Sequence, residues 1–348
     1  MTADPVFVAP PLRRGLLPTW SVAVVAAAVI AATAGLFAVS DLQGNAGFVL
    51  VAALLFLFAQ TVLAYLVEGR RRATDRFVTS LVVMSFLLAL IPLVSVLTYT
   101  VQQGRKRFDG VFFTHSLNGI GARDAGGGAY HAVIGTLEQV GIATLISVPF
   151  GLLVAIYIVE YGRGRLAGAI RFFVDVMTGS PSIVAGLFVL SFWILGLGQG
   201  FSGFAAALAL TVLMLPIIVR SSEEMLKLVP DSLREASLAL GVPRWKTILR
   251  IVLPTAAPGI VTGVMLAVAR VMGETAPVLL TAFGAAAINN DVFHNAQSSL
   301  PLFVFQQAGD AQQTAVNRAW TAALTLILVV MVLNLLARLL TRRNRIKR

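Results

Sequence analysis

Gly203-Phe204-Ala205-Ala206-Ala207-Leu208-Ala209-Leu210-Thr211-Val212-Leu213-Met214-Leu215-Pro216-Ile217-Ile218-Val219 carries no charged side chain, and Arg220 ends the run. The hydrocarbon core of a bilayer is about 30 Å thick, and roughly twenty apolar residues of helix cross it. With Arg220-Ser221-Ser222 the stretch is long enough. The same reading applies at seven other places, near 20–39, 47–67, 78–101, 132–159, 171–197, 256–283 and 319–340.

Composition agrees. Apolar residues make up 57% of the 348 and charged residues 12%, against about 25% charged in soluble domains. The expected class is an all-α membrane protein. There is no cysteine, which excludes disulfides, thiolate metal sites and a cysteine nucleophile. The three histidines, His115, His131 and His294, are far apart and suggest no metal site. Arg13 and Arg14 precede the first apolar run, and Ala32-Thr33-Ala34 mimics a cleavage site. That run exceeds the roughly 7–15 residues of a signal-peptide core and a second span follows, so it is read as a retained helix.

Arginine and lysine set the orientation, because they gather in short cytoplasmic loops. With the N-terminus inside and the spans alternating, 21 of the 27 basic residues fall on the inner side. They are Arg13 and Arg14, Arg70, Arg71, Arg72 and Arg76, Arg163, Arg165 and Arg171, six from Arg220 to Arg250 and six from Arg338 to Arg348. Arg105, Lys106, Arg107, Arg123 and Arg318 fall outside, and Arg270 lies within a span. Both termini are expected in the cytoplasm. The net charge of +11 therefore reads as a topology signal, not a nucleic-acid surface. The tail Arg342–Arg348 is expected against anionic lipid, at about 1 kcal/mol per basic residue.

The longest cytoplasmic segment, 223–255, reads as two short helices. Pro230 with Asp231 or Ser232 supplies a start and a cap. Leu233, Ala236, Ser237 and Leu240 follow at helical spacing as one small apolar face. Gly241 ends that helix in a left-handed cap and Pro243 starts the next. Trp245, Ile248, Leu249 and Val252 form the second face before Pro254 closes it. Periodicity alone leaves a docking element and a membrane-surface hairpin equally open.

Glu235-Ala236-Ser237-Leu238-Ala239-Leu240-Gly241, followed after nine residues by Ile251-Val252-Leu253-Pro254, resembles the EAA loop of bacterial ABC importer permeases. Ser237 in place of the second alanine is the one departure. The resemblance implies a coupling helix that docks into an ATPase subunit, with Arg234, Glu235, Ala236, Ser237 and Gly241 as coupling residues. Arg234 and Glu235 are expected at its edge, pairing across that interface. None of the four lysines follows a glycine as a phosphate-binding loop requires. The ATPase, with its ATP and magnesium, is thus expected on a partner, and no cofactor in this chain.

Three further stretches resemble the phosphate branch of these permeases. They are Gly135-Thr136-Leu137 through Val148-Pro149-Phe150-Gly151 to Glu160-Tyr161; Thr178-Gly179-Ser180-Pro181-Ser182-Ile183-Val184-Ala185-Gly186-Leu187-Phe188; and Arg270-Val271-Met272-Gly273-Glu274-Thr275-Ala276-Pro277. The last looks more like the PstA-type subunit than its sister, the PstC type. The resemblance implies a six-helix type I core at 71–342 in a bacterial inner membrane, with 1–70 as an extension of two extra helices and 343–348 as a basic tail. It also implies the sister permease as heterodimer partner, two ATPase copies and an extracytoplasmic phosphate-binding protein. Arg220 and Arg270 match arginines implicated in transport.

The residues can be read without the family. Span 171–197 is interrupted at Gly179-Ser180-Pro181, where Ser180 is a plausible N-cap and Pro181 suits the first helical position. A helix broken in the membrane presents free N–H groups to an anion, and such backbone is tolerated only in protein or beside a cavity. A kink is the plainer alternative. Span 256–283 is interrupted similarly at Gly273–Pro277. An arginine in mid-span costs about 2.5–3.5 kcal/mol on insertion scales, so Arg270 calls for a partner or a role. Glu274, one turn on, is placed to pair with it. Thr178, Ser180, Ser182, Arg220, Arg270 and Glu274 are the candidate path. Glu138 and Asp175 read as structural partners, since a carboxylate repels phosphate. Gly126-Gly127-Gly128 reads as a hinge, and 284–318, with Asn289, Asp291 and Gln297, as polar outer surface for a binding protein.

Other readings are another oxyanion or small polar solute as cargo, an intramembrane enzyme, or an ion-coupled carrier. An enzyme would need more than Ser180 and Ser182 without an intramembrane histidine. A secondary carrier would not need the hairpin.

Overall fold

The computed structural model describes residues 15–40, 44–162 and 164–345. Arg13, Arg14, Arg163, Lys347, Arg348 and the end of the basic tail lie outside the described residues. Regular structure among the described residues is helical, apart from one isolated bridge between Phe283 and Gln297. The chain divides into two compact units, 1–98 and 99–348, with the division inside one long helix.

The first unit holds α1 (Ser21–Val39), α2 (Asn45–Glu68) and most of α3 (Arg70–Gly104). Phe37 of α1 meets Phe48 of α2 edge-on at 5.4 Å. Glu68 closes the unit: its buried carboxylate accepts from the Leu17 N–H at 2.8 Å and from Arg76 Nε at 2.6 Å. Arg76 thus belongs to a clasp, whereas Arg70, Arg71 and Arg72 stay exposed as topology signals do.

The second unit begins with α4 (Gly110–Thr114), capped where the Asp109 carboxylate accepts from the Phe112 N–H. It continues with α5 (Tyr130–Ile156), which ends in a wider π turn at Tyr157–Tyr161, and with α6 (Arg165–Gly179) and α7 (Ser182–Val189). Then come α8 (Gly203–Lys227), α9 (Asp231–Ala239), α10 (Arg244–Thr247), α11 (Leu253–Val271), α12 (Ala276–Ala282), α13 (Leu300–Ala308) and α14 (Gln313–Arg345). The alanine-rich start of α8 places Ala205, Ala206, Ala207 and Ala209 fully out of contact with solvent. Small side chains let neighbouring backbones approach from several sides, which is how helices associate without a hydrophobic drive in lipid. α5, α11, α12, α7 and α6 all pack on α8. The main core joins Val140 and Ala143 of α5, Leu210, Met214 and Ile218 of α8, Ala267 of α11 and Leu302 of α13.

Seven described helices are long and apolar enough to cross a membrane, and eight if the bent pair Arg165–Gly179 and Ser182–Gly196 counts as one span. This matches the eight apolar windows. The helices overrun them, as at Arg70–Arg107 and Arg244–Val271, because helical hydrogen bonding continues past the first charge until a cap or turn stops it.

Two expectations fail. The segment 284–318 is not simply polar surface: α13 lies in it, with Leu300, Leu302 and Phe303 buried, and Gln297 is 1% exposed. A nine-residue helix is too short to register as a span. Gly126-Gly127-Gly128 is not a hinge either. Arg318 donates Nη1 to the carbonyls of Asp124 and Gly126, both at 3.0 Å. Its Nη2 reaches Gly121 and Ala122 at 3.3 and 3.4 Å, and its Nε reaches Gln307 Oε1 at 3.0 Å. Arg107 binds the carbonyls of Ala125 and Gly127. Two arginines therefore fasten this glycine-rich loop, which gives Arg318 and Arg107, two of the basic residues expected on the unfavoured side, a structural use.

Candidate translocation path and coupling hairpin

The hairpin is built by α9 and α10. Pro230 takes the cap position of α9, and no side chain caps it; Asp231 instead accepts from Arg234 at 3.1 Å. Gly241 has φ +75°. The Val242 N–H reaches back to Ser237 O at 3.2 Å and the Gly241 N–H to Leu238 O at 2.9 Å, a left-handed helix end of the expected kind. Ser237 is buried and its hydroxyl shares a 2.8 Å hydrogen bond with Thr247 Oγ1, tying the two limbs together. That bond gives the one departure from the EAA pattern a structural use. Leu233, Ala236 and Leu240 remain exposed, so the expected face splits, with Ser237 turned inward. The second face splits too: Ile248 and Val252 are buried, Trp245 and Leu249 exposed. Pro254 does not close the second limb. A π turn at Ile248–Val252 carries it straight into α11, since the wider turn relieves the clash between a proline ring and the carbonyl four residues back.

Arg234 is not at the edge. It pairs with the buried Glu160 at 2.9 Å and donates to Val229 O at 2.6 Å and Leu226 O at 2.9 Å, closing the last turn of α8. Glu235 is exposed, as a residue meeting a partner must be. Beside Arg234, Arg244 of α10 donates to the Glu160 carbonyl and lies over the Tyr161 ring at 5.1 Å. A second buried carboxylate, Glu223 of α8, accepts from Lys227 at 2.7 Å and from Arg171 of α6 at 3.0 Å, with Arg220 at 3.5 Å. Arg220 also pairs with Asp175 of α6. Asp175 is thus a structural partner, and the ion pair holds Arg220 within a turn of Thr178.

The break at Ser180-Pro181 is a bend of 106°, far more than a kink. Ser180 does not cap α7: its hydroxyl donates back to Val176 O at 2.9 Å, and Pro181 occupies the cap position. Thr178 likewise donates to Val174 O at 2.8 Å. Thr178 and Ser180 are exposed, and Ser182 is half-buried at the start of α7. The second break separates α11 from α12 across Met272–Thr275. Because the helix stops at Val271, Arg270 and Glu274 are not stacked on one face, and no ion pair joins them among the described residues. Arg270 is exposed and Glu274 half-buried.

The two broken elements meet. Gly186 of α7 lies so close to α12 that a Cβ there would stand 2.7 Å from Pro277 Cα. Gly186→Val is expected to force α7 and α12 apart, at about 1–3 kcal/mol for overpacking, and to lower uptake severalfold at near-normal membrane abundance. Transport assays on membranes of matched abundance check this, and wild-type uptake would mean that the contact is slack. At the far end of α5, Glu138 accepts from Gln297 Nε2 at 2.6 Å and Gln139 donates to Gln297 Oε1 at 3.0 Å, so Glu138 is structural as expected.

Residues 147–346 match the family described as binding-protein-dependent transport system inner membrane component. The phosphate transport system permease protein PstA 1 of Mycobacterium tuberculosis is 51% identical over 282 residues, covering 80% of this chain and 92% of that one. The chain belongs to this family of permeases, in its PstA branch. The PstA protein of Yersinia pestis is 38% identical, covering 78% of this chain and 92% of that one. A solved bacterial ABC transporter involved in import of the acidic polysaccharide alginate shares the fold, with a TM-score of 0.51 at 14% identity over 78% of this chain and 99% of that one. The permease is thus a multi-pass inner membrane protein of type I importer architecture.

Sequence reading of the permease missed the roles of Glu160, Glu223 and Arg171. Glu223 stands three residues after Arg220 and four before Lys227, a readable pattern on one helix face. Glu160 carried no such signal, because its partner lies 74 residues away.

Proposed function

We propose that this permease carries inorganic phosphate into the cell, driven by a partner ATPase acting on the 231–254 hairpin. Its place in the PstA branch supports the cargo. The observation that carries the reading is Arg270, a cation exposed at a helix break with no carboxylate at ion-pairing distance among the described residues. An unneutralised guanidinium attracts an oxyanion, and Glu274 nearby limits how tightly it is held, as conduction requires. Arg220, Thr178, Ser180 and Ser182 line the rest of the path.

A PstC-type sister permease completes the pathway as a heterodimer. Two ATPase copies hold ATP and magnesium, and an extracytoplasmic phosphate-binding protein delivers the cargo. This chain performs no hydrolysis of its own. Arg234, Glu235, Ala236, Ser237 and Gly241 serve coupling, with Glu235 and Ala236 facing the ATPase and Arg234, Ser237 and Gly241 shaping the element. Both termini lie in the cytoplasm, residues 1–70 are an added two-helix extension, and 71–342 form the six-helix core. Closure of the ATPase pair on ATP moves the hairpins and opens the cavity outward; hydrolysis reopens it inward.

The test is phosphate uptake by the whole transporter with Arg270→Gln, with membrane abundance measured alongside. Uptake is expected to fall at least tenfold at normal abundance. Unchanged uptake would remove Arg270 from the path and reopen the question of cargo.

A further inference from the structure

The buried carboxylates at the hairpin end of the second unit form a chain of contacts that the transport reading does not use. Glu160 lies in the π turn that ends α5, and its side chain is 5% exposed. Its Oε1 accepts from both Nε and Nη2 of Arg234 on α9, at 3.0 and 2.9 Å. Its backbone carbonyl accepts from Arg244 on α10. Both limbs of the hairpin therefore grip one turn of α5. In the same π turn, the Ile158 carbonyl accepts from Arg171 of α6 at 3.3 Å, and that guanidinium also pairs with Glu223 of α8. The end of α5 is the point where hairpin, α6 and α8 are all fastened by charge.

From that point α5 runs the length of the core against α8. Its other end is held by the Glu138–Gln297–Gln139 contacts beside α8 and by Thr136, whose hydroxyl accepts from the Leu300 N–H of α13 at 2.7 Å. α6 leads from Arg171 to the bend at Ser180-Pro181, and Asp175 on it holds Arg220. A displacement of the hairpin thus has a polar, partly buried and directional connection to the helices carrying the candidate path. Apolar packing alone can slide. Charge-assisted hydrogen bonds fix direction as well as distance.

We infer that Glu160 is a positioning residue for coupling: through Arg234 and Arg244 it transmits movement of the hairpin to α5, and through Arg171 and Glu223 onward to α6 and α8. This rests on the importer reading above, and adds to it which side chain joins the coupling element to the spans. Coupling through a contiguous network predicts that weakening one link lowers the work done per ATP without abolishing either end.

The experiment uses the complete transporter in proteoliposomes, with phosphate uptake and ATP hydrolysis measured on one preparation. Glu160→Gln removes the charge but keeps an acceptor for Arg234. Hydrolysis is expected to stay within about twofold of wild type while uptake falls at least tenfold, so that ATP consumed per phosphate rises by a similar factor. Glu160→Asp, which keeps the charge on a shorter arm, is expected to restore part of the ratio. If E160Q leaves the ratio at the wild-type value, whether both rates hold or both fall together, the inference is overturned and Glu160 is only a structural tie. Should E160Q fail to assemble, E160D decides by the same ratio. Absence of phosphate uptake by the wild-type complex is a different result: it removes the cargo assignment, and the ratio is then read with the solute that the complex does carry.

Discussion

Replacing Arg318 with methionine is expected to destabilise the permease by about 3–5 kcal/mol, since each dry acceptor left without a donor costs about 1–3 kcal/mol. Arg318 is 1% exposed and serves four carbonyls of the 121–126 loop together with Gln307. Gly121 and Asp124 are exposed and can turn to water, and the Ala122 carbonyl keeps the Thr314 hydroxyl as donor, so the loss is concentrated at Gly126 and Gln307. Methionine fills much of the space and brings no donor. Lysine keeps the charge but offers three donors from a single nitrogen in place of the five-donor planar fork, so Arg318→Lys should fall between methionine and wild type. Thermal unfolding of the detergent-solubilised complex measures the effect. An unshifted midpoint for R318M would show that water replaces the guanidinium at no cost.

Gly241→Val is expected to cut uptake at least tenfold while leaving membrane insertion intact. At φ +75° a β-branched residue is strained by about 1–3 kcal/mol, and the strain is relieved by changing the angle between α9 and α10. No heavy atom lies within 4 Å of a Cβ at this position, so the effect is one of backbone conformation and not of crowding. Gly241→Asn, which enters the left-handed region more readily, should keep most of the uptake. Normal transport by G241V at normal abundance would show that the hairpin angle does not matter to coupling.

The spans, both breaks and the glycine-ended hairpin were legible because each leaves a local signature: an apolar window, a Gly-Ser-Pro or Gly-Glu-Thr-Ala-Pro interruption, a Gly six residues after a Glu. What stayed hidden depends on choices between local alternatives or on distant partners. A serine at a helix junction can cap forward or bond back, and Ser180 bonds back. Spacing arithmetic for Arg270 and Glu274 assumes a continuous helix, and the very break predicted there invalidates it. Arg318 binds backbone carbonyls nearly 200 residues away, at separations of 192 to 197, and carbonyls leave no trace in a charge pattern. The 106° bend was out of reach because packing of α7 on α12 accompanies it, and a Gly-Ser-Pro triplet says only that the helix stops.

The π turns bear on how such a chain can change length. A π turn holds one residue more than the α turn it replaces, and each residue of an α-helix turns the chain by about 100° about its axis. Deleting one residue within Ile248–Val252 would therefore let α10 and α11 join as plain α-helix with the hairpin side keeping its azimuth. The exposed Trp245 and the buried Thr247 would then keep their surroundings, and with them the 2.8 Å bond from Ser237 to Thr247. The π turn thus stores a surplus residue that a plain helix would convert into a swing of about 100° of everything on the hairpin side.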